Sequence, residues 1–210
     1  MTWPVSFYTQ YVLYDRRMAE ITAFVLAGGQ SSRMGRDKAF IELEGRTLLT
    51  HALDLLKQVT CDVHILGSQA RFEAYGAVIE DQFPNCGPLG GIHAALRSSL
   101  APLNLILAVD MPFVRVEFLQ HLAGLARKSP AIATVPRAAG NWQPLCAIYR
   151  PAFADFAEAA LKRGRNKIDP LYREIEVQVV EEDELQSHGF SSDMFRNLNT
   201  PQEVEEATRR

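Results

Sequence analysis

The sequence predicts an α/β protein with a mostly parallel sheet and helices packed on both of its faces. Three observations carry that reading. Short apolar runs alternate with segments of helical periodicity. The strand candidates are apolar at successive positions, as strands covered on both sides must be. The first of them runs straight into a small-residue turn, the arrangement that opens a ligand crevice at the strand ends.

Each element has its own justification. Ile21 to Leu26 is short, apolar and rich in β-branched residues, and it ends in Ala27-Gly28-Gly29, so it reads as a buried strand entering a tight turn. From Thr47 to Val59, Leu48, Leu49, Ala52, Leu55, Leu56 and Val59 recur at helical spacing. Asp62 to Leu66 and Ala77 to Ile79 read as strands, Leu89 to Leu100 as a helix, and Leu103 to Val109 as the most continuously apolar strand of the chain. The second half is less regular. It supports a helix over Val116 to Ala126, strands near Ala131 to Val135 and Pro144 to Tyr149, and a helix over Ala152 to Lys162. A last helix is expected over Pro201 to Thr208, with Thr200 as N-cap and Glu203 closing a capping box. Right-handed crossovers bring the loops at the strands' C-terminal ends together, and function is expected there.

Composition narrows the classes. A chain of 210 residues, 47% hydrophobic and 22% charged, fits one domain with its own core. Because Met18 sits just before the first strand, residues 1–17 read as an extension outside that domain, which spans 18–210. With 22 Lys and Arg against 25 Asp and Glu, the net charge of −3 gives no electrostatic footprint for nucleic acid. Cys61, Cys86 and Cys146 form neither a CxxC pair nor an even-numbered disulfide framework, which suits a reducing cytoplasm. No apolar run reaches the ~20 residues of a membrane span; the best, Leu103 to Val114, is interrupted by Asp110. The five histidines lack metal-ligand spacing, so no zinc is expected. Ser31 and Ser32 have no paired base in a nucleophile elbow, which argues against covalent serine catalysis.

The chemistry concentrates in Leu26-Ala-Gly-Gly-Gln-Ser-Ser-Arg-Met-Gly-Arg-Asp-Lys38. Gly28 and Gly29 let backbone amides approach an anion without a Cβ in the way, and Arg33, Arg36 and Lys38 bring cations beside them, a combination suited to phosphate. Ala39 after Lys38 excludes a GxxxxGK[ST] loop, and the glycine spacing excludes GxGxxG. The competing reading is a glycine-rich turn with solvated basic residues. Asp110 closes the most buried strand, so it delivers a carboxylate to the crevice where Mg²⁺ would bind phosphate oxygens; the alternative is a cap for the following helix. Gly87-Pro88-Leu89-Gly90-Gly91 opens a helix whose N-terminus admits close approach of a flat or anionic ligand.

The thirteen-residue string resembles the signature LAGGxSxRMGxDK of molybdenum cofactor guanylyltransferases, the MobA family of GT-A-like nucleotidyltransferases. Further strings resemble that family in order: Asp81 to Ile92, Val109 to Phe113, Gln143 to Tyr149 and Asn197 to Pro201. The resemblance implies a Rossmann-like three-layer sandwich with a mostly parallel, partly mixed sheet. It implies a nucleotide site at Leu26, Ala27, Gly28, Gly29, Lys38, Asp81, Gly87 and Asp110, and catalysis by Arg33, Lys38 and Asp110. It also places Mg²⁺ on Asp110 and a pterin acceptor at Asn197 and Asn199. Asp81 and the two asparagines also have a plainer reading as turn residues. Where many family members carry Asn after the second main strand, this chain has Leu66-Gly67-Ser68, a departure at one nucleotide contact for which a backbone or Ser68 contact could substitute.

Relatives that use CTP typically carry Ala in place of Gly29 and Asp in place of Asn199, so the resemblance favours guanine. The expected reaction is attack by the terminal phosphate of molybdopterin on the α-phosphorus of Mg·GTP, releasing pyrophosphate, with transient contacts to cofactor-synthesis proteins and molybdoenzymes. Two alternatives remain: a nucleotidyltransferase with another phosphorylated acceptor, including the CTP-dependent pterin route, and a catalytically silent nucleotide or cofactor carrier.

Overall fold

The computed structural model describes residues 20–28, 37–198 and 203. Its chain order starts with β1 (Ile21–Leu26), a 3-10 turn (Lys38–Phe40), the hairpin β2 (Glu42–Leu43) and β3 (Arg46–Thr47), and α1 (Leu48–Lys57). It continues through β4 (Val63–Leu66), α2 (Gln69–Phe72), β5 (Val78–Ile79), α3 (Pro88–Ser98), β6 (Leu103–Ala108) and α4 (Val116–Lys128). Then come β7 (Ala133–Ala138), β8 (Asn141–Trp142), β9 (Cys146–Tyr149), α5 (Phe153–Lys162) and a 3-10 turn (Asp169–Arg173). The last described elements are β10 (Val177–Val180), α6 (Glu182–Ser187) and a 3-10 turn (Ser192–Phe195).

The main sheet has the order β10-β7-β9-β6-β1-β4-β5. β1 pairs in parallel with β4 and β6, β4 with β5, and β7 with β10, whereas β9 runs antiparallel to both β6 and β7. The sheet is therefore mostly parallel and partly mixed, the α/β architecture the sequence predicts. Successive residues of β1 feed opposite faces. Ile21, Ala23 and Val25 join a core with α1, α4 and the segment after α6, while Phe24 and Leu26 join one with α3, α5 and the 169–173 turn. Burial on both sides is why β1 and β6 are apolar at all but one position each. The polar residue inside β6, Asn104, donates its amide to the carbonyls of Ala101 (3.3 Å) and Tyr149 (3.2 Å).

Boundaries differ from the expectation where tertiary packing intervenes. α1 buries Leu53 rather than Leu55 or Val59, because its face is set by Leu48, Leu49, Ala52 and Leu56 against the sheet. β7 runs to Ala138, and β9 starts only at Cys146, since the Cys146 amide bonds the Gln143 carbonyl in a turn (3.1 Å). The sequence reading assigned no strand at 177–180 and no helix at 182–187; both depend on partners remote in sequence. The helix expected over Pro201 to Thr208 lies, except for Glu203, outside the described residues, as do residues 1–17. Among the described residues no helix is long and apolar enough to cross a membrane.

Candidate active site

Four parallel strands end side by side, and backbone hydrogen bonds stitch their exits together. The amides of Ala27 and Gly28 both donate to the Leu66 carbonyl (3.0 and 2.9 Å), Val109 donates to Leu26 (3.1 Å) and Gly67 to Ile79 (3.1 Å). Leu26, Ala27 and Gly28 therefore form the floor of a crevice between the exits of β4 and β6. Gly28 and Gly67 make that floor thin: a Cβ on Gly28 would stand 3.3 Å from the Gly67 Cα. A Cβ on Gly67 would meet the Phe72 ring at 2.7 Å, closer than any side chain tolerates. The Leu66-Gly67-Ser68 departure thus has a steric cause, and Gly67 cannot become Asn without moving Phe72.

Two residues 72 apart in sequence meet over this floor. The Lys38 ammonium lies 3.0 Å from Asp110 Oδ2, with side chains 26% and 16% exposed. Partial burial lowers the local dielectric, so the pair is stronger than a surface ion pair while remaining open to a ligand. Asp110 does not cap α4, whose N-cap is Arg115 without a side-chain bond. Its carbonyl accepts from the Leu198 amide (2.9 Å), which brings Asn197, itself exposed, next to the same loop.

α3 approaches from the opposite face of the sheet. Gly87 sets its start with φ +68° and ψ −157°, a conformation that L-residues avoid, and Pro88 occupies the first turn. A Cβ on Gly91 would lie 2.5 Å from Leu26 Cδ1, so glycine lets the helix sit directly on the end of β1. Asp81 turns its carboxylate onto the same glycines: hypothetical Cβ atoms on Gly90 and Gly91 would stand 3.3 and 3.5 Å from its two oxygens. Although the residue as a whole is exposed, this packing desolvates the carboxylate and raises its pKa above the ordinary value. A raised carboxylate pKa means that ionisation costs the folded state more than the unfolded chain. The penalty is absent at pH below the ordinary carboxylate pKa and sets in as pH rises through and beyond it. Asp81→Asn is accordingly expected to raise the melting temperature at pH 7 and to leave it nearly unchanged at pH 3. Equal shifts at both pH values would contradict the desolvation of this carboxylate.

Of the sequence-derived candidates, Leu26, Ala27, Gly28, Lys38, Asp110 and Asn197 lie around one crevice, with Asp81 and Gly87 at the helix that leans on it. Gly29, Arg33 and Asn199 lie outside the described residues. Sequence reasoning missed Arg71 and Phe72 and gave no role to Asp37; their contacts, Arg71 with Asp37 and Phe72 with Phe40, join segments more than thirty residues apart and leave no periodic signal. A cavity of about 200 Å³ opens beside the Asp110 loop, between His51, Leu55, Val109, Met111 and Pro112. A larger one of about 530 Å³, between α5 and the 169–173 turn, shares no lining residue with the crevice.

The MobA-like NTP transferase domain matches residues 23–182. The chain belongs to the MobA-like NTP transferase family. This transferase is 32% identical over 193 residues to a probable molybdenum cofactor guanylyltransferase of Clostridium perfringens, covering 90% of this chain and 96% of the relative. It is likewise 32% identical to the molybdenum cofactor guanylyltransferase of Desulfosudis oleivorans, covering 90% and 95%. Among solved structures it resembles molybdopterin-guanine dinucleotide biosynthesis protein A of Archaeoglobus fulgidus, with a TM-score of 0.78 and 28% identity over 90% of this chain and 97% of that one. The 2-C-methyl-D-erythritol 4-phosphate cytidylyltransferase of Thermus thermophilus shares the fold, with a TM-score of 0.65 at 18% identity. The MobA-like transferase thus has the GT-A-like nucleotidyltransferase fold that its signature string implied.

Proposed function

We propose that this MobA-like transferase moves GMP from GTP to the terminal phosphate of molybdopterin, forming the guanine dinucleotide cofactor and releasing pyrophosphate. The observation that carries the reading is the Lys38–Asp110 pair, a phosphate-type cation and a metal-type carboxylate 3.0 Å apart just past the end of β6. The names of the relatives in Clostridium perfringens and Desulfosudis oleivorans support the choice of acceptor and base.

The residues present fit Mg²⁺. This ion is usually held by one or two carboxylates together with substrate phosphates rather than by an all-protein cage. Asp110 supplies one carboxylate at the crevice, and among the described residues no cluster of three acidic, His or Cys side chains competes for the ion. Mg²⁺, when bound, neutralises charge that develops on the α-phosphate and the departing pyrophosphate.

The chain's own residues supply positioning and electrostatics. Leu26, Ala27 and Gly28 place backbone beneath the nucleotide without side-chain obstruction, a role the signature string extends to Gly29. Lys38, with Arg33 from the same loop, balances the triphosphate and draws charge toward the leaving group. The start of α3 at Gly87 receives the nucleotide's flat or anionic part, with Asp81 facing its hydrogen-bond donors. Asn197 and Asn199 offer donors and acceptors to the edge of a pterin beside Asp110. The attacking oxygen belongs to the acceptor's phosphate, so no covalent enzyme intermediate is required. The substrates are soluble metabolites and the three cysteines are free, in keeping with a cytoplasmic enzyme that meets cofactor-synthesis proteins and molybdoenzymes transiently.

The deciding experiment measures Mg²⁺-dependent pyrophosphate release from GTP, CTP and ATP with molybdopterin as acceptor. GTP-selective release that needs the acceptor is the expected result. Preference for CTP would overturn the base assignment, and tight GTP binding without turnover would leave only a carrier role.

A further inference from the structure

The α2 turn is too short to be stable alone, and Ser68 gives it no side-chain cap. Four contacts hold it. The Gln69 amide donates to Glu80 Oε1 (2.8 Å), one residue before Asp81. Phe72 is fully buried beneath Gly67 and packs 5.8 Å, centroid to centroid, from Phe40 of the 3-10 turn that begins at Lys38. Tyr75, just beyond α2, packs 5.6 Å from the same Phe40. Finally, Arg71 forms an ion pair with Asp37.

Asp37 does two things at once. Its Oδ1 accepts from the Ala39 amide (3.1 Å) and so caps the 3-10 turn, while Oδ2 faces the Arg71 guanidinium. The Asp37 side chain is only 14% exposed and immediately precedes Lys38, whereas Arg71 is 43% exposed and braced over the Phe72 ring at 5.2 Å. Without Arg71, a half-desolvated carboxylate would stand uncompensated beside Lys38. It would compete with Asp110 and with phosphate for the lysine ammonium, because a charge of low exposure seeks the nearest counter-ion.

We propose that Arg71 is a positioning residue that neutralises Asp37 and thereby keeps Lys38 committed to the nucleotide's phosphates. The proposal rests on the reading of Lys38 as a phosphate ligand. It also gives α2, which follows the Leu66-Gly67-Ser68 segment, a role at the site: this chain braces Asp37, beside Lys38, from the β4 exit through an ion pair.

The test is a double-mutant cycle in the full-length enzyme, reading kcat/KM for Mg·GTP with melting temperatures alongside. Asp37→Asn retains a capping oxygen for Ala39 but removes the charge. Arg71→Ala is expected to lower kcat/KM about tenfold, Arg71→Lys to recover most of it, and Arg71→Ala in the Asp37→Asn background to fall no lower than Asp37→Asn alone. Additive losses would overturn the proposal, since Arg71 would then act on the nucleotide directly or only as scaffold. An Arg71→Ala enzyme with full kcat/KM would overturn it too. Lys38→Met, assayed in parallel, separates the two levels. Impairment there with an additive cycle defeats the brace alone, whereas full activity of Lys38→Met defeats the phosphate reading and the brace with it.

Discussion

Asp110→Ala is expected to abolish pyrophosphate release, with a fall in kcat of at least about 10³-fold, while the protein melts within a few degrees of the wild type. Removing a single preorganised group from a charge-stabilising site typically costs about 10²–10³ in kcat, and here the lost carboxylate is also the proposed metal ligand. The fold should tolerate the change. Asp110 holds the Leu198 amide through its backbone carbonyl, which alanine keeps. Asp110→Asn, which preserves shape and removes charge, should be nearly as inactive; activity within tenfold of wild type in either variant would sink the metal assignment.

The largest effect on stability is expected from Phe118→Ala. Phe118 is fully buried on α4, with Phe190 and Phe195 packed edge-on at 5.3 and 5.4 Å. Truncating such a ring costs about 3–5 kcal/mol, a large part of the roughly 5–15 kcal/mol by which a domain is stable. The loss is also local. Phe190 and Phe195 anchor the segment that runs on to Asn197 and to the Leu198–Asp110 hydrogen bond. Urea unfolding should therefore report a lower midpoint, and hydrogen exchange should quicken at the Leu198 amide more than in β1. A loss below about 1 kcal/mol, or uniform acceleration of exchange, would contradict this anchoring role.

The contrast between these variants reflects what each level of structure decides. The order of the main-sheet strands and the long helices through α4 was legible, though not the β2–β3 hairpin or α2, because residues buried on both faces of a parallel sheet must be apolar in runs, and those runs are local in sequence. The signature string that carries the family was legible for a similar reason: its glycines and cations sit within one short segment of chain. Lys38 and Asp110 could be named from their loops, each at a strand exit where α/β sheets open their crevices.

The second half was harder to read. β9 enters antiparallel between β6 and β7, and β10 exists as a strand only because β7 offers an edge to pair with. Neither has a strong intrinsic signal, since a strand of four residues owes its stability to its neighbours and not to its own propensity. Likewise, nothing local marks Arg71 as the partner of Asp37, or Gly67 as the glycine that Phe72 requires.

The sequence by itself thus determined the fold class and the family, because periodicity and short motifs are encoded within a few turns of chain. Only the tertiary structure decided that Lys38 faces Asp110, that Asp81 is desolvated against α3 and that Arg71 pairs with Asp37. Those relations depend on which distant segments the sheet order brings within a few ångströms, and contact energies between such segments exist only once the chain has closed around them.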